Sequence, residues 1–124
     1  MNKDNISYEV IGNDEFLHLR YDGEWSDETS PAVIDKLIEL VSEYGAKRVL
    51  VDVRDADYKA SMFSDFIVSR KIKDSPLGKL EKIAYIDSKS RKEITGNIQQ
   101  IIRALGLPIR FVTSEDEAIA WLRK

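Results

Sequence analysis

Two aspartates, Asp55 and Asp57, lie in a polar loop directly after the β-branched run at 49–53. Paired carboxylates after a buried strand are typical of enzymes that hold Mg²⁺ and attack phosphate, with a lysine that clamps the phosphoryl group. The last predicted strand ends at Phe111-Val112-Thr113 and offers no lysine there. A magnesium-dependent phosphoryl enzyme is therefore kept only as a remote alternative. We expect a non-enzymatic protein that needs no cofactor.

Ser61 follows the same loop and begins a predicted helix. In parallel α/β sheets, ligands bind beyond the carboxyl ends of the strands, which is where this serine is expected. A hydroxyl at a helix start lies beside unpaired N–H groups and the positive end of the helix dipole, where a phosphate is stabilised. Ser61 is thus a candidate phospho-acceptor and partner contact. The alternative is that Ser61 serves only as the N-cap of its helix.

Large apolar side chains surround this serine in the sequence. The helix carries them on two adjoining stripes, which is broader than one face packed on a sheet requires. The candidate binding edge or apolar pocket comprises Trp25, Asp57, Tyr58, Met62, Phe63 and Phe66. If part of this set lies outside the core, it forms a groove or pocket for an apolar ligand or a partner helix. Otherwise the apolar members belong to the core.

The elements that position these residues follow from periodicity and turn signals. Residues 6–11 and 15–21 read as two strands joined by a Gly12-Asn13-Asp14 turn, hence an antiparallel hairpin. Ser30-Pro31 predicts an N-cap and first turn of a helix that Gly45 ends. Strands are then predicted at 49–53, 83–86 and 109–112, and helices follow each of them.

Capping signals mark the later helices. Ser90 with Glu93, and Ser114 with Glu117, have the spacing of capping boxes. The order is therefore ββαβαβαβα, an α/β fold in one domain spanning residues 1–124, with four helices. The five-stranded sheet is mostly parallel, and the N-terminal hairpin adds an antiparallel strand.

Composition excludes several classes of protein. The 124 residues contain no Cys and one His, so disulfide frameworks, thiol catalysis and a multi-histidine metal site within one chain are excluded. We predict a soluble cytoplasmic domain with no metal site and no membrane span, because no apolar run approaches the ~20 residues that a span needs.

Charge argues against nucleic-acid binding. The net charge is −3, although residues 70–92 carry eight bases and three acids. A basic segment of this kind binds phosphates in some proteins and is a solvated helix end in most. No helix-turn-helix or RNA-binding aromatic motif accompanies it.

Three stretches carry a family resemblance: Tyr21-Asp22-Gly23-Glu24-Trp25, the 49–53 strand with its loop and Ser61, and the segment 111–122, which ends Ala118-Ile119-Ala120-Trp121-Leu122. With the element order over residues 5–123, the chain resembles the SpoIIAA-like superfamily. That superfamily includes the STAS domains of anti-sigma-factor antagonists and sulfate-transporter tails, and its fold is related to the CRAL-TRIO lipid carriers.

The resemblance implies regulatory binding to a protein partner rather than catalysis. STAS antagonists are phosphorylated on a serine within a D-S-S-G-like stretch, and here the matching stretch is Lys59-Ala60-Ser61-Met62-Phe63, which keeps only the serine. The bulky apolar residues are closer to stand-alone members thought to carry apolar molecules. A carrier of a small apolar ligand is therefore the alternative function. A homodimer, through a sheet edge or an apolar helix face, is left open.

Overall fold

The structure, a computed structural model, describes residues 5–11, 16–87 and 92–124, with the backbone alone at 62 and 92–97. The strands are β1 Ile6–Ile11, β2 Phe16–Tyr21, β3 Glu24–Trp25, β4 Arg48–Asp52, β5 Asp57–Tyr58, β6 Lys82–Ile86 and β7 Ile109–Val112. The helices are α1 Ser30–Tyr44, α2 Met62–Lys73, α3 Lys92–Leu105 and α4 Glu115–Leu122, with a short 3₁₀ turn at Pro76–Lys79.

The main sheet has the order β1-β2-β4-β6-β7. β1 is antiparallel to β2, and the remaining neighbours are parallel. The predicted α/β class, the five strands and the four helices are therefore confirmed. The sequence did not indicate β3 and β5, which form a two-residue parallel ladder that pairs Trp25 with Tyr58.

Helices cover both faces of the sheet, and this explains why the central strands are apolar runs. Helices α1, α2 and α3 pack over the face that carries Leu19, Val51 and Ile83. Helix α4 packs on the other face, where Ala118 and Leu122 form a cluster with Leu50 of β4 and Ala84 and Ile86 of β6. Within the described ranges, none of the helices has the length and apolar character needed to cross a membrane.

The helix ends mostly follow the predicted signals. Gly45 is left-handed at φ 63° and ends α1, and the Ser114 hydroxyl accepts a hydrogen bond from the Glu117 N–H at 3.2 Å. The predicted N-cap at Ser30 is wrong. Thr29 occupies that position and makes no side-chain cap hydrogen bond, since its hydroxyl accepts the Ser26 N–H instead, and Ser30 is the fully buried first residue of α1. The predicted box starting at Ser90 lies outside the described residues.

Two cations hold the C-terminal end of α4 against the edge of the sheet at which β4 and β6 begin. The Lys82 ammonium donates to the carbonyl of Trp121 at 2.9 Å, and the Arg48 guanidinium donates to the carbonyl of Leu122. Both cations lie at the first residues of their strands. They therefore satisfy carbonyl groups that the last turn of a helix leaves without intrahelical partners.

Candidate functional site

The start of α2 is built around Ser61. Its backbone is extended (φ −79°, ψ 161°), and its hydroxyl accepts a hydrogen bond from the Ser64 N–H at 3.0 Å. Ser61 is therefore the N-cap of α2, as the sequence indicated. Its side chain is also exposed, at the edge where β4 ends. Its role as a phospho-acceptor stays a prediction.

Asp27 brings a carboxylate to this helix start. One carboxylate oxygen accepts the Ser61 backbone N–H at 2.8 Å, and the Ser61 hydroxyl lies 3.2–3.3 Å from both oxygens. The N–H of Ser61 is the main reason that the pKa of Asp27 lies below its ordinary value. The helix start thus already holds an anion, which its dipole favours. A phosphoryl group added to Ser61 would lie beside that carboxylate and be repelled by it.

A second carboxylate lies one turn further, on the inner side of α2. Asp65 is buried and accepts a hydrogen bond from the Tyr58 phenol. Burial raises the pKa of Asp65, while the bond from Tyr58 partly opposes that change. Burial and the Asp65 bond both raise the pKa of Tyr58. This pair of a buried carboxylate and a half-buried phenol ties the β5 segment to the first turns of α2.

The Asp65–Tyr58 pair and Ser69 form the polar part of an apolar cavity between the sheet and the three helices above it. The cavity measures about 60 Å³. Its wall includes Trp25, Val68 and Ile102 together with side chains of β2, β4, β6 and β7. A cavity of about 150 Å³ holds a benzene molecule, so this one holds only a very small molecule unless its walls move apart.

The predicted apolar set is divided between two surfaces. Trp25, only 5% exposed, and Tyr58 line the cavity. Phe63 and Phe66 face solvent on the outer side of α2 and are 75% and 44% exposed, and Ile67 beside them is 48% exposed. The side chain of Met62 lies outside the described residues. The set therefore supplies both an internal pocket and an external apolar face.

The aspartates of the preceding loop do not meet as a pair. Asp55 forms an ion pair with Arg20, whereas Asp57 lies 3.3 Å from the ammonium of Lys59. In the part of the chain that the structure describes, no group of three acidic or histidine side chains is arranged to hold a metal ion. The geometry therefore gives the magnesium alternative no ligand cluster in that part.

Sequence reasoning missed Asp27 and Asp65. Asp27 is 34 residues from Ser61, and the β3–β5 ladder places the segments that carry them side by side. Asp65 stands among apolar residues and looks like a polar interruption on the outer face of a helix. No local pattern in the sequence signals either contact.

A family model, described as SpoIIAA-like, matches residues 16–123. The chain belongs to the SpoIIAA-like family. Two solved structures share the fold of this family member. An uncharacterised protein of the DUF3478 family with a SpoIIAA-like fold, from Shewanella loihica PV-4, has a TM-score of 0.63 at 17% identity, covering 94% of this chain and 91% of that one.

The second structure is an anti-sigma factor antagonist from Mycobacterium paratuberculosis. It has a TM-score of 0.66 at 15% identity, and the alignment covers 99% of this chain and 98% of that one. At these identities the likeness establishes the SpoIIAA-like fold and leaves the activity to be argued from the site. Among curated proteins, none matches the chain.

Proposed function

We propose that the chain is a non-enzymatic regulatory module that acts by protein–protein contact at the α2 edge. The observation that carries this proposal is the outer face of α2, where Phe63, Phe66 and Ile67 are exposed next to one another. Large apolar side chains clustered on a surface mark interaction sites more often than scattered ones do. The fold shared with an anti-sigma factor antagonist supports the same function.

Ser61 lies at one end of this face and provides a means of regulation. A negative charge added there adjoins the Asp27 carboxylate and changes the electrostatics of the exposed helix start. We therefore expect Ser61→Asp to weaken partner capture while the fold stays intact, because aspartate is itself a good N-cap. Unchanged capture by this variant would remove Ser61 from the interface.

The test of the proposal is crosslinked capture from an extract of the native host, followed by identification of the captured proteins. Phe63→Ser should lose a protein that the unaltered chain captures. Tyr44→Ser is the matched control, because Tyr44 is another exposed aromatic residue (40%), at the far end of α1. If both variants capture the same proteins as the unaltered chain, the α2 face is not the interface.

A second candidate function, the carriage of a small apolar ligand, is supported by the cavity. Its wall is apolar except for a few groups such as the Asp65–Tyr58 pair, as in pockets that orient a ligand through few polar contacts. The volume of about 60 Å³ favours protein contact over carriage, since a lipid-sized ligand requires the walls to open. Native and denaturing mass spectra of protein from its own host decide this. Extra mass lost on denaturation supports a carrier, and a bare polypeptide in both spectra opposes it.

A further inference from the structure

The exposed side of α2 forms a continuous stripe along the helix. Phe63, Phe66, Ile67 and Arg70 follow one another at spacings of three, one and three residues, so they share one face. The buried positions of α2, among them Val68 and Ile72, lie on the opposite side of the helix. The stripe is therefore centred on the direction that points away from the core.

The two ends of the stripe carry opposite charge. The Asp27 carboxylate is fixed at the N-terminal end through Ser61, and Glu28 beside it is exposed. The C-terminal turn carries Arg70, Lys71 and Lys73; Lys71 is paired with Asp35 at 2.8 Å and Arg70 lies 4.0 Å from Asp74, so three cations face two carboxylates and this end stays net positive. An acidic end, an apolar middle and a basic end make a surface that complements its own inverted copy.

The geometry points to a symmetric dimer in which the α2 stripes of two copies pack antiparallel about a twofold axis between Phe66 and Ile67. Phe63 and Arg70 are each 3.5 residues from this axis, about 5 Å along the helix at 1.5 Å per residue. Phe63 of one copy then lies opposite Arg70 of the other, as in a cation–π pair. The acidic end of each copy meets the basic end of its partner. This goes beyond the proposed function by assigning a second copy to the face.

A second copy fits the stripe better than an anionic membrane does. A membrane surface of that kind would attract the basic end but would repel Asp27 and Glu28 at the acidic end. Stable dimers bury about 800 Å² per partner, which is more than one short helix face supplies. The dimer is therefore expected to be weak and to form as the concentration rises, so the same face stays available to another protein at low concentration.

The absence of cysteine from the sequence allows a direct test by disulfide trapping. Ile67→Cys places one thiol beside the axis and should form a crosslinked dimer under mild oxidation. Phe63→Cys and Arg70→Cys should crosslink with each other when mixed, and much less when each is oxidised alone. Glu43→Cys, at an exposed position on α1, is the control and should stay monomeric at the same concentration.

Sedimentation velocity supplies the second measurement. The unaltered chain should shift toward the dimer mass with concentration, and Ile67→Asp should raise the dissociation constant at least ~10-fold, because it brings two carboxylates together beside the axis. Because Ile67 is exposed, this variant should keep the circular dichroism spectrum of the unaltered chain. A chain that stays monomeric up to about millimolar concentration overturns the inference. The inference is also overturned if Glu43→Cys crosslinks as fast as Ile67→Cys. It is likewise overturned if the chain is monomeric in solution and binds vesicles of anionic phosphatidylserine.

The dimer and the proposed function can be confirmed or overturned independently of each other. A monomeric chain whose Phe63→Ser variant loses a captured protein overturns the dimer and leaves the regulatory module supported. A chain that dimerises through the stripe, and captures no other protein through it, supports the dimer and overturns the regulatory module.

Discussion

Adding one methylene group to the cavity wall should stabilise the fold, and the structure offers a matched pair of valines to test this. Val68 lines the cavity, whereas Val49 is fully buried in the same core but does not line it. Val68→Ile and Val49→Ile are therefore the same chemical change at an empty and at a filled position. The two variants should differ in the sign of their effect on the free energy of unfolding.

The magnitude follows from the volume of the cavity. At about 24 cal/mol per Å³, an unfilled space of about 60 Å³ corresponds to about 1.4 kcal/mol, which is the most that filling it returns. One buried methylene contributes about 0.8 kcal/mol, so Val68→Ile should raise the free energy of unfolding by up to that amount. Val49→Ile inserts the methylene group where no space exists and should lower the free energy of unfolding by about 1–3 kcal/mol.

Thermal and urea unfolding followed by tryptophan fluorescence measure both changes. For 124 residues, 0.8 kcal/mol corresponds to about 3 °C in melting temperature. Val68→Ile should melt higher than the unaltered chain, and Val49→Ile lower. If Val68→Ile is destabilised as much as Val49→Ile, the space beside Val68 is already filled in solution, and the reasoning from the cavity fails.

Three further changes test the polar contacts. Because burial raises the pKa of Asp65, the stability that this side chain contributes is complete below the ordinary aspartate pKa and is lost as pH rises through the raised pKa. Asp65→Asn should therefore be more stable to urea than the unaltered chain at neutral pH, and this advantage should disappear toward about pH 4. An advantage that is constant with pH would contradict this. Ser114→Ala should lower the free energy of unfolding by about 1 kcal/mol in thermal melts, while Ser114→Asp, which keeps a cap acceptor, should not; equal melting of the two would refute the cap. Lys82→Met should lower the free energy of unfolding by about 0.5–1 kcal/mol and shift the fluorescence emission of Trp121, since it removes a cation from the end of α4 and from above the indole ring. Unchanged stability and emission would show that the contact contributes nothing.

Most of the fold was predictable because its signals are local. The continuous β-branched run at β4 and the helical spacing of α1 each reflect burial within one element, and Gly45 stops its helix through its own backbone conformation. The wrong prediction at Ser30 also came from reading a local signal. Thr29 and Ser30 are both residue types that suit an N-cap, and no pattern within the helix signals the hydrogen bonds that join the Thr29 hydroxyl to Ser26 and Glu24.

The candidate site was less predictable because α2 places polar and apolar residues on both of its sides. Asp65 and Ser69 face the core, while Phe63 and Phe66 face solvent. Periodicity assigns apolar residues to the core, so it cannot identify a helix whose inner side is stabilised by a tyrosine–carboxyl hydrogen bond. The Asp27 contact likewise depends on a ladder of two residues per strand, too short to leave a pattern in the sequence.

The cations that hold the end of α4 also determine how the chain can be mounted for an interaction measurement. Arg48 and Lys82 keep the last turn of α4 where β4 and β6 begin, and the Ser61 edge lies a strand length away, about 16 Å for five residues. A chain coupled to a biosensor surface through residue 124 would therefore present Ser61 outward in a uniform orientation. Coupling through the lysines of α2 would instead bury the face under study, so a failed measurement with randomly attached protein would say nothing about the interface.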